Sequence, residues 1–524
     1  MSATANHPWT LSSPGVYTQT HDSFAQFFAD WVARESESER TSLIVVSVVK
    51  IRARFRSSSD THPAGPQIKD DLMQMRLKQA WTAMRNDHPG LAVEFGPNHS
   101  TYKVPTQKDD LVAWLDATFL VHPGLDARGL TRSLKREAQP RLHWLPKTGE
   151  VVLTMHHCYA DARSTWVFWD ALLEKVVKGA SPAMLDLEKS TKPPNLPPSR
   201  DDLLGLPSWP SIQGWLKAHD LLVSAMKLDL VLLPPSTTIP AAGESKDWLS
   251  GPGDFVRHSI SESRTAAVVA GCKARGITVA AAFYAALASA TRALQETERA
   301  GSGGSHAVTF HHFDVRPWLQ ATGNTNRVGL GVDYHVIIPF ALGMIIPSPV
   351  GAAETKGEET VQERSLDELA HDMNEFFQTT RHEFGQDPTG LDALTHYVHS
   401  MFVPSTPAPS APIFSSLGVA EHFIRRSFSG REEGEEVCLH ESHGCEGEEE
   451  ESFRSSRGPT LELEVEDTYV MTLGAKLMNC VILHTFRGRI WALSGFDESY
   501  FRDSVLEGLL AGTFEKLLAW LDVE

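Results

Sequence analysis

The segment Val151-Val152-Leu153-Thr154-Met155-His156-His157-Cys158-Tyr159-Ala160-Asp161-Ala162 constrains this chain more than any other. An apolar, β-branched run stops abruptly at two histidines, and an aspartate follows four residues after the second. Such a run predicts a strand. Before it, Pro146-Lys147-Thr148-Gly149 has the composition of a hairpin turn leading out of a strand Arg141-Leu142-His143-Trp144-Leu145. After it, Trp166, Trp169, Leu172, Leu173, Val176 and Val177 recur at helical spacing and Gly179 supplies a stop, which predicts a helix of about four turns. The histidines therefore sit where a strand hands over to a helix, a rigid frame on which chemistry is commonly mounted.

An imidazole in that position can serve as a general base, and His157 is the candidate. Asp161 stands where it could orient the ring as the carboxylate of a triad does. The pattern His-x-x-x-Asp is short, and in a chain with 23 histidines a second copy occurs, His122 to Asp126. That copy, within His122-Pro123-Gly124-Leu125-Asp126, lacks the flanking strand and helix and reads as a surface loop. For His156 and His157 the alternative is a pair of satisfied histidines inside a buried strand.

The segment resembles the His-His-x-x-x-Asp-Gly motif of the CoA-dependent acyltransferase superfamily, with Ala162 in place of the usual glycine. That superfamily includes chloramphenicol acetyltransferase, plant acyltransferases, condensation domains of peptide synthetases and fungal trichothecene acetyltransferases. Four further segments are similar to family landmarks and fall in family order. They are the helix with Met73, Leu77, Ala80, Trp81 and Met84 running into His88-Pro89-Gly90-Leu91, the Ala-rich helix after Gly276-Ile277-Thr278, the segment Phe313-Asp314-Val315-Arg316-Pro317, and the loop Ser415-Ser416-Leu417-Gly418. The resemblance implies an α/β (α+β) fold of two chloramphenicol acetyltransferase-like lobes with a catalytic channel between them. It makes His157 the base, with His156 supporting it, and turns Asp161 away from the ring toward Arg316 in an ion pair between the lobes. Ser416, or a backbone N–H beside Gly418, becomes the oxyanion candidate. The co-substrate implied is acetyl-CoA, with no bound cofactor and no metal. Because the Asp-Phe-Gly-Trp-Gly signature of the plant branch is missing, the resemblance is strongest to the fungal trichothecene 15-O-acetyltransferases. A condensation-type enzyme using a carrier-protein thioester, and a non-catalytic two-lobed binder, are the alternatives.

Length agrees with two lobes, since 524 residues exceed what one core usually organises and 41% hydrophobic residues can fill two. No run approaches a membrane span, and Met1-Ser2-Ala3-Thr4-Ala5-Asn6-His7-Pro8 lacks a signal pattern, so a cytoplasmic protein is expected. Five scattered cysteines suit reduced thiols. The net charge of −18 argues against nucleic acid or an anionic membrane as partner. The partners expected are an acyl-CoA and a small alcohol, acting on a monomer. Coenzyme A is itself a polyanion, so local arginines or lysines must offset the global field.

For domains, the sequence suggests a tail at 1–22, a first lobe at 23–180, a Pro-rich crossover at 181–215 and a second lobe at 216–524. The first lobe should hold a helix near 24–33 and a strand near 43–49; the second should hold strands near 308–313, 334–340, 479–485 and 490–494, a helix begun by the capping box Ser365-Leu366-Asp367-Glu368, and a closing helix near 504–521. Residues 428–459 read as a disordered acidic insert, with ten Glu between Arg431 and Ser452. Within it Cys438, His440, His443 and Cys445 are spaced too tightly for the usual zinc knuckles, so no metal is expected there.

Overall fold

The computed structural model describes residues 7–34, 43–56, 66–135, 139–179, 198–236 (except 208 and 210), 251–298, 412–430, 460–473 and 477–524, the helix at 364–387, residue 196 and short pieces of 306–349 and 389–397. The first half contains β1 (Thr10–Ser13), β2 (Val16–Thr20), α1 (Ser23–Arg34), β3 (Ile44–Arg56), α2 (Pro66–Asp87), β4 (Glu94–Phe95), β5 (His99–Lys103), α3 (Lys108–Thr118), β6 (Phe119–Val121), α4 (Ala127–Ser133), β7 (Arg141–Leu145), β8 (Glu150–His156) and α5 (Ala162–Lys178). Two helices follow, α6 (Arg200–Leu204) and α7 (Ile212–Met226), within and just beyond the Pro-rich stretch. The second half contains β9 (Gly253–Ser259), α8 (Glu262–Ala274), α9 (Val279–Glu298), β10 (His306–Ala307), β11 (His312–Asp314), β12 (Phe340–Leu342), β13 (Ser348–Pro349), α10 (Leu366–Gln386), β14 (Ile413–Val419), β15 (Ser427–Ser429), β16 (Thr460–Thr472), β17 (Cys480–Phe486), β18 (Arg489–Asp497) and α11 (Asp503–Trp520). Among the described residues no single helix is long and apolar enough to cross a membrane.

The larger sheet runs β15-β16-β3-β8-β7-β6 and the second runs β14-β17-β18-β9. β1 and β2, from the segment expected to be a tail, join β5 and β4 in a further four-stranded sheet. The hairpin before the motif forms as its composition dictates, β7 pairing antiparallel with β8. Gly149 closes its turn at φ +70°, where a Cβ would stand 2.9 Å from the Ile51 carbonyl, so only glycine fits without displacing the neighbouring strand.

Strand alternation divides the apolar residues into separate cores. Val151, Leu153 and Met155 of β8 pack with Trp81, Trp166, Trp169 and Leu172 of α2 and α5 in the first core. The second core gathers Phe283, Ala286, Phe414, Leu483, Phe496 and Phe514 from α9, β14, β17, β18 and α11. The opposite face of the larger sheet contributes Val46, Val48, Val152 and Met471 to a third core that takes Phe255 and Leu493 from the second sheet. This third core joins the two sheets, and the two-lobed α/β organisation expected from the sequence is what the chain adopts.

β16 departs from the sequence order. It belongs to the second half of the chain yet pairs with β3 over its whole length, Thr460 opposite Arg56 through Thr472 opposite Val45, and so completes the first lobe's sheet. The expected strands near 479–485 and 490–494 and the closing helix near 504–521 appear as β17, β18 and α11 within a few residues. The Ser365 capping box forms with both reciprocal hydrogen bonds. Most of the acidic insert and the Cys438 to Cys445 group lie outside the described residues.

Candidate active site

His157 stands one residue past β8, and its backbone N–H donates to the carbonyl of Leu43 at 2.8 Å. Leu43 takes φ +58°, a left-handed conformation uncommon for a branched residue, and its own N–H donates to Leu473 at 3.0 Å. The end of the motif strand is thereby tied to the start of β3 and, through Leu43, to the end of β16. Phe28 of α1 stacks on the His157 ring with centroids 5.5 Å apart and planes at 21°, and meets His156 edge-on at 5.7 Å and 87°. A wall of apolar carbon on one side limits how the imidazole can turn.

Burial pushes the His157 pKa below 6.5; backbone carbonyl interactions at His157 itself and at Ala160, and the negative charge of Asp161, oppose that shift without reversing it. The ring is thus neutral near pH 7 and able to accept a proton. His156 is buried, and its Nδ1 accepts a hydrogen bond from the backbone N–H of Cys158 at 3.2 Å, which assigns the proton of the neutral ring to Nε2.

Asp161 is buried and caps α5, its carboxylate accepting from the backbone N–H of Ser164 at 2.8 Å. A carboxylate at this end satisfies an otherwise orphaned donor and meets the positive end of the helix dipole. The helix it starts is anchored to β3 by a buried polar pair, Ser47 donating to Thr165 Oγ1 at 2.9 Å and Trp169 Nε1 donating to Ser47 Oγ at 2.8 Å. Arg316, the expected partner of Asp161, lies outside the described residues.

Two residues into the same turn, Arg163 reaches across to the second half of the chain. Its Nη1 is 2.8 Å from Asp314 Oδ2, and its Nε donates to the Leu417 carbonyl at 3.0 Å. Leu417 sits in β14 between Ser416 and Gly418, where the parallel pairing with β17 shifts register. Gly418 has φ +84°, and a Cβ there would be 3.8 Å from Arg163 Nη2. The structure thus brings the Leu417–Gly418 peptide next to the first turn of the motif helix. Ser416 lies one residue earlier on β14, partly exposed.

Sequence reasoning missed both Phe28 and Arg163. The first was hidden because a helix near 24–33 gives no sign of where its aromatic face docks; the second reads as a solvated charge at a helix start. His122 does lie in a partly exposed loop, but the expectation that it lacks a flanking strand and helix is corrected, since β6 ends at Val121 and α4 begins at Ala127. His122 Nε2 is 3.1 Å from His143 Nδ1, and His143 Nε2 is 2.9 Å from Thr154 Oγ1, so His122 joins a polar chain that ends on the motif strand. Asp126 caps α4, accepting from Gly129 N–H at 2.7 Å. His88 is buried at the end of α2, consistent with a structural role. Among the described residues no group of three or more His, Cys, Asp or Glu side chains could hold a metal ion.

No family model matches the chain. Over 483 residues it is 23% identical to the loline biosynthesis cluster 1 transcription factor lolU1 of Epichloe uncinata, covering 86% of each. It is 24% identical to the O-acetyltransferase pigM of Monascus ruber over 375 residues, 70% of this chain and 66% of that protein. Among solved structures, the trichothecene 15-O-acetyltransferase of Fusarium sporotrichioides superposes with a TM-score of 0.68 at 14% identity, covering 99% of this chain and 98% of that one. The chain has the two-lobed fold of that acetyltransferase structure. Within that fold β8 and α5 carry the motif in the first lobe, while β14 and β11 bring Leu417 and Asp314 to face it from the second half of the chain.

Proposed function

We propose that this chain is an O-acyltransferase of fungal secondary metabolism, which moves an acetyl or other short acyl group from coenzyme A to an alcohol, and that His157 is its general base. The observation that carries this proposal is His157 at the end of β8, stacked on Phe28, in the turn whose Arg163 bonds the Leu417 carbonyl of the second half of the chain. The Monascus O-acetyltransferase and the fold of the Fusarium enzyme support the activity class.

An alcohol is a weak nucleophile at neutral pH. His157 takes the hydroxyl proton as the oxygen attacks the thioester carbon, and the carbonyl π electrons pass to its oxygen. Ser416 Oγ or a backbone N–H beside Gly418 donates to the resulting oxyanion. Collapse of the tetrahedral adduct breaks the carbon–sulfur bond, and the leaving thiolate takes the proton from the imidazolium. An ester and free coenzyme A remain, and the base is restored. A trichothecene-type sesquiterpenoid alcohol is the acceptor proposed, on the strength of the Fusarium neighbour; the protein acts as a cytoplasmic monomer on soluble substrates, with no resident metal or cofactor.

The Epichloe relative, whose name is that of a regulator, favours one alternative, a two-lobed binder without catalysis. Incubating the purified chain with acetyl-CoA and a panel of sesquiterpenoid and polyketide alcohols, followed by mass spectrometry, separates the two. Acetylated product is expected; binding of an alcohol or of coenzyme A with no acetylated product would favour the binder.

A further inference from the structure

The acyl-transfer chemistry above assigns no task to Arg163, the residue of the motif turn whose side chain reaches the second half of the chain. Its side chain is only 26% exposed and Asp314 is 16% exposed. The guanidinium engages three neighbours at once, the Asp314 carboxylate on β11, the Leu417 carbonyl on β14 and the face of Phe423, whose centroid is 5.6 Å away. A planar fork holds two acceptors in fixed directions, which an ammonium on a flexible stem does not. The bond to Leu417 also fixes the plane of the Leu417–Gly418 peptide, and in a trans peptide the Gly418 N–H must then point opposite to that carbonyl. The register shift between Ser416 and Gly418, with φ +84° at Gly418, is what allows β14 to present this plane while still paired with β17.

We propose that Arg163 is a positioning residue, fastening the His157–Asp161 turn to β11 and to the Leu417–Gly418 peptide so that base and oxyanion donor keep one separation. The proposal rests on the acyltransferase function. Three variants divide its contacts. Arg163→Met removes both polar contacts and the charge over Phe423, Arg163→Lys keeps a charge for Asp314 but loses the Nε donor to Leu417, and Asp314→Asn weakens only the ion pair. Two measurements on the full chain are required, kcat and KM for acetyl-CoA and the acceptor, and amide hydrogen exchange across residues 413–419 without substrate.

A misplacement on the scale of an ångström can cost about 10²-fold in rate. We therefore expect Arg163→Met to lower kcat about 10- to 100-fold with each KM within about threefold, Arg163→Lys to retain most of that loss, and Asp314→Asn to show a smaller one. Exchange across 413–419 should speed several-fold in both Arg163 variants. Unchanged kcat in Arg163→Lys, a rise confined to KM, or unchanged exchange across 413–419 would each overturn the proposal. If Arg163→Met fails to fold, Arg163→Lys and Asp314→Asn decide it. If the parent protein shows no acyl transfer while exchange still responds to Arg163→Lys, the function fails and the fastening of β14 to the motif turn stands.

Discussion

At His157 the environment favours the neutral imidazole, and the sign of that shift fixes how rate depends on pH. Burial lowers the pKa from 6.5, so if His157 is the base, as proposed, function is lost only when pH falls below that value. The profile of kcat/KM should be flat from pH 7 upward into the weakly alkaline range and should decline on an acidic limb with a midpoint below 6.5. A limb centred above pH 7 would contradict the assignment. His156 has a different place, its Nδ1 committed to the Cys158 N–H. His156→Ala is expected to keep measurable turnover, within about tenfold of the parent, and loss comparable to that of His157→Ala would move His156 into the chemistry. At this scale the sequence was informative for His157 and Asp161, whose spacing lies within one strand-to-helix turn. It was silent on Phe28 and Arg163, because their partners are fixed by how distant segments meet.

The elements that join the lobes depend on ion clusters that no local pattern reveals. Asp254 of β9 is fully buried and accepts from Arg128 and Arg132 of α4, with Arg128 Nη2 at 2.6 Å and Arg132 Nη2 at 2.7 Å. Arg132 also pairs with Glu498 at 2.6 Å, and Arg128 with Asp503. On the other side of the seam Arg257 of β9 lies 3.8 Å from the ring centroid of Tyr469 and 4.4 Å from that of Trp491, and bonds Asp467 at 2.8 Å. Removing one member of a fully buried pair costs about 3 to 5 kcal/mol. The two arginines facing Asp254 are more than a third exposed, so Asp254→Asn should cost about 1 to 3 kcal/mol in denaturant unfolding. A change within about 0.5 kcal/mol, the range of ordinary surface substitutions, would mean that α4 is held to β9 by apolar contacts alone.

β16 was illegible for a related reason. Its early part places Leu461, Leu463 and Val465 in the first core, but after the register shift between Val465 and Asp467 the parity reverses and Val470 faces that core. A period-two reading breaks at the bulge, and nothing in the composition says that the strand pairs with β3, some four hundred residues earlier in the chain. The hairpin β7-β8, helix α5, the Ser365 capping box and the β17-β18 hairpin were legible because each is set by residues within one or two turns of chain.

Across the whole molecule, buried histidines make stability depend on pH. Burial lowers the pKa of His21 to about 4, and of His143 and His484 to about 3, with desolvation the largest cause at each. In the unfolded chain these rings titrate near 6.5, so between about pH 6.5 and 4 the unfolded state binds more protons. Stability is complete above pH 6.5 and is lost as pH falls through that window, by up to about 1.4 kcal/mol per unit for each ring. Unfolding free energy should therefore fall by about 4 kcal/mol or more between pH 7 and 5, and His484→Gln should make the slope shallower. A flat profile over that range would mean that the three rings are solvated in the folded chain. The two-lobed fold was legible from five short landmarks in family order, but the sequence could not say that β16, from the second half of the chain, completes the first lobe's sheet or that the motif turn is bonded to β14.

The central claim is that His157 accepts the acceptor's proton during acyl transfer, and it is tested most directly by thiol release from acetyl-CoA with the parent chain and His157→Ala, at matched folding judged by circular dichroism. Loss of a general base costs about 10²- to 10⁴-fold, so kcat of the variant should fall at least a hundredfold while the protein remains folded. Equal rates for a folded His157→Ala and the parent would contradict the mechanism.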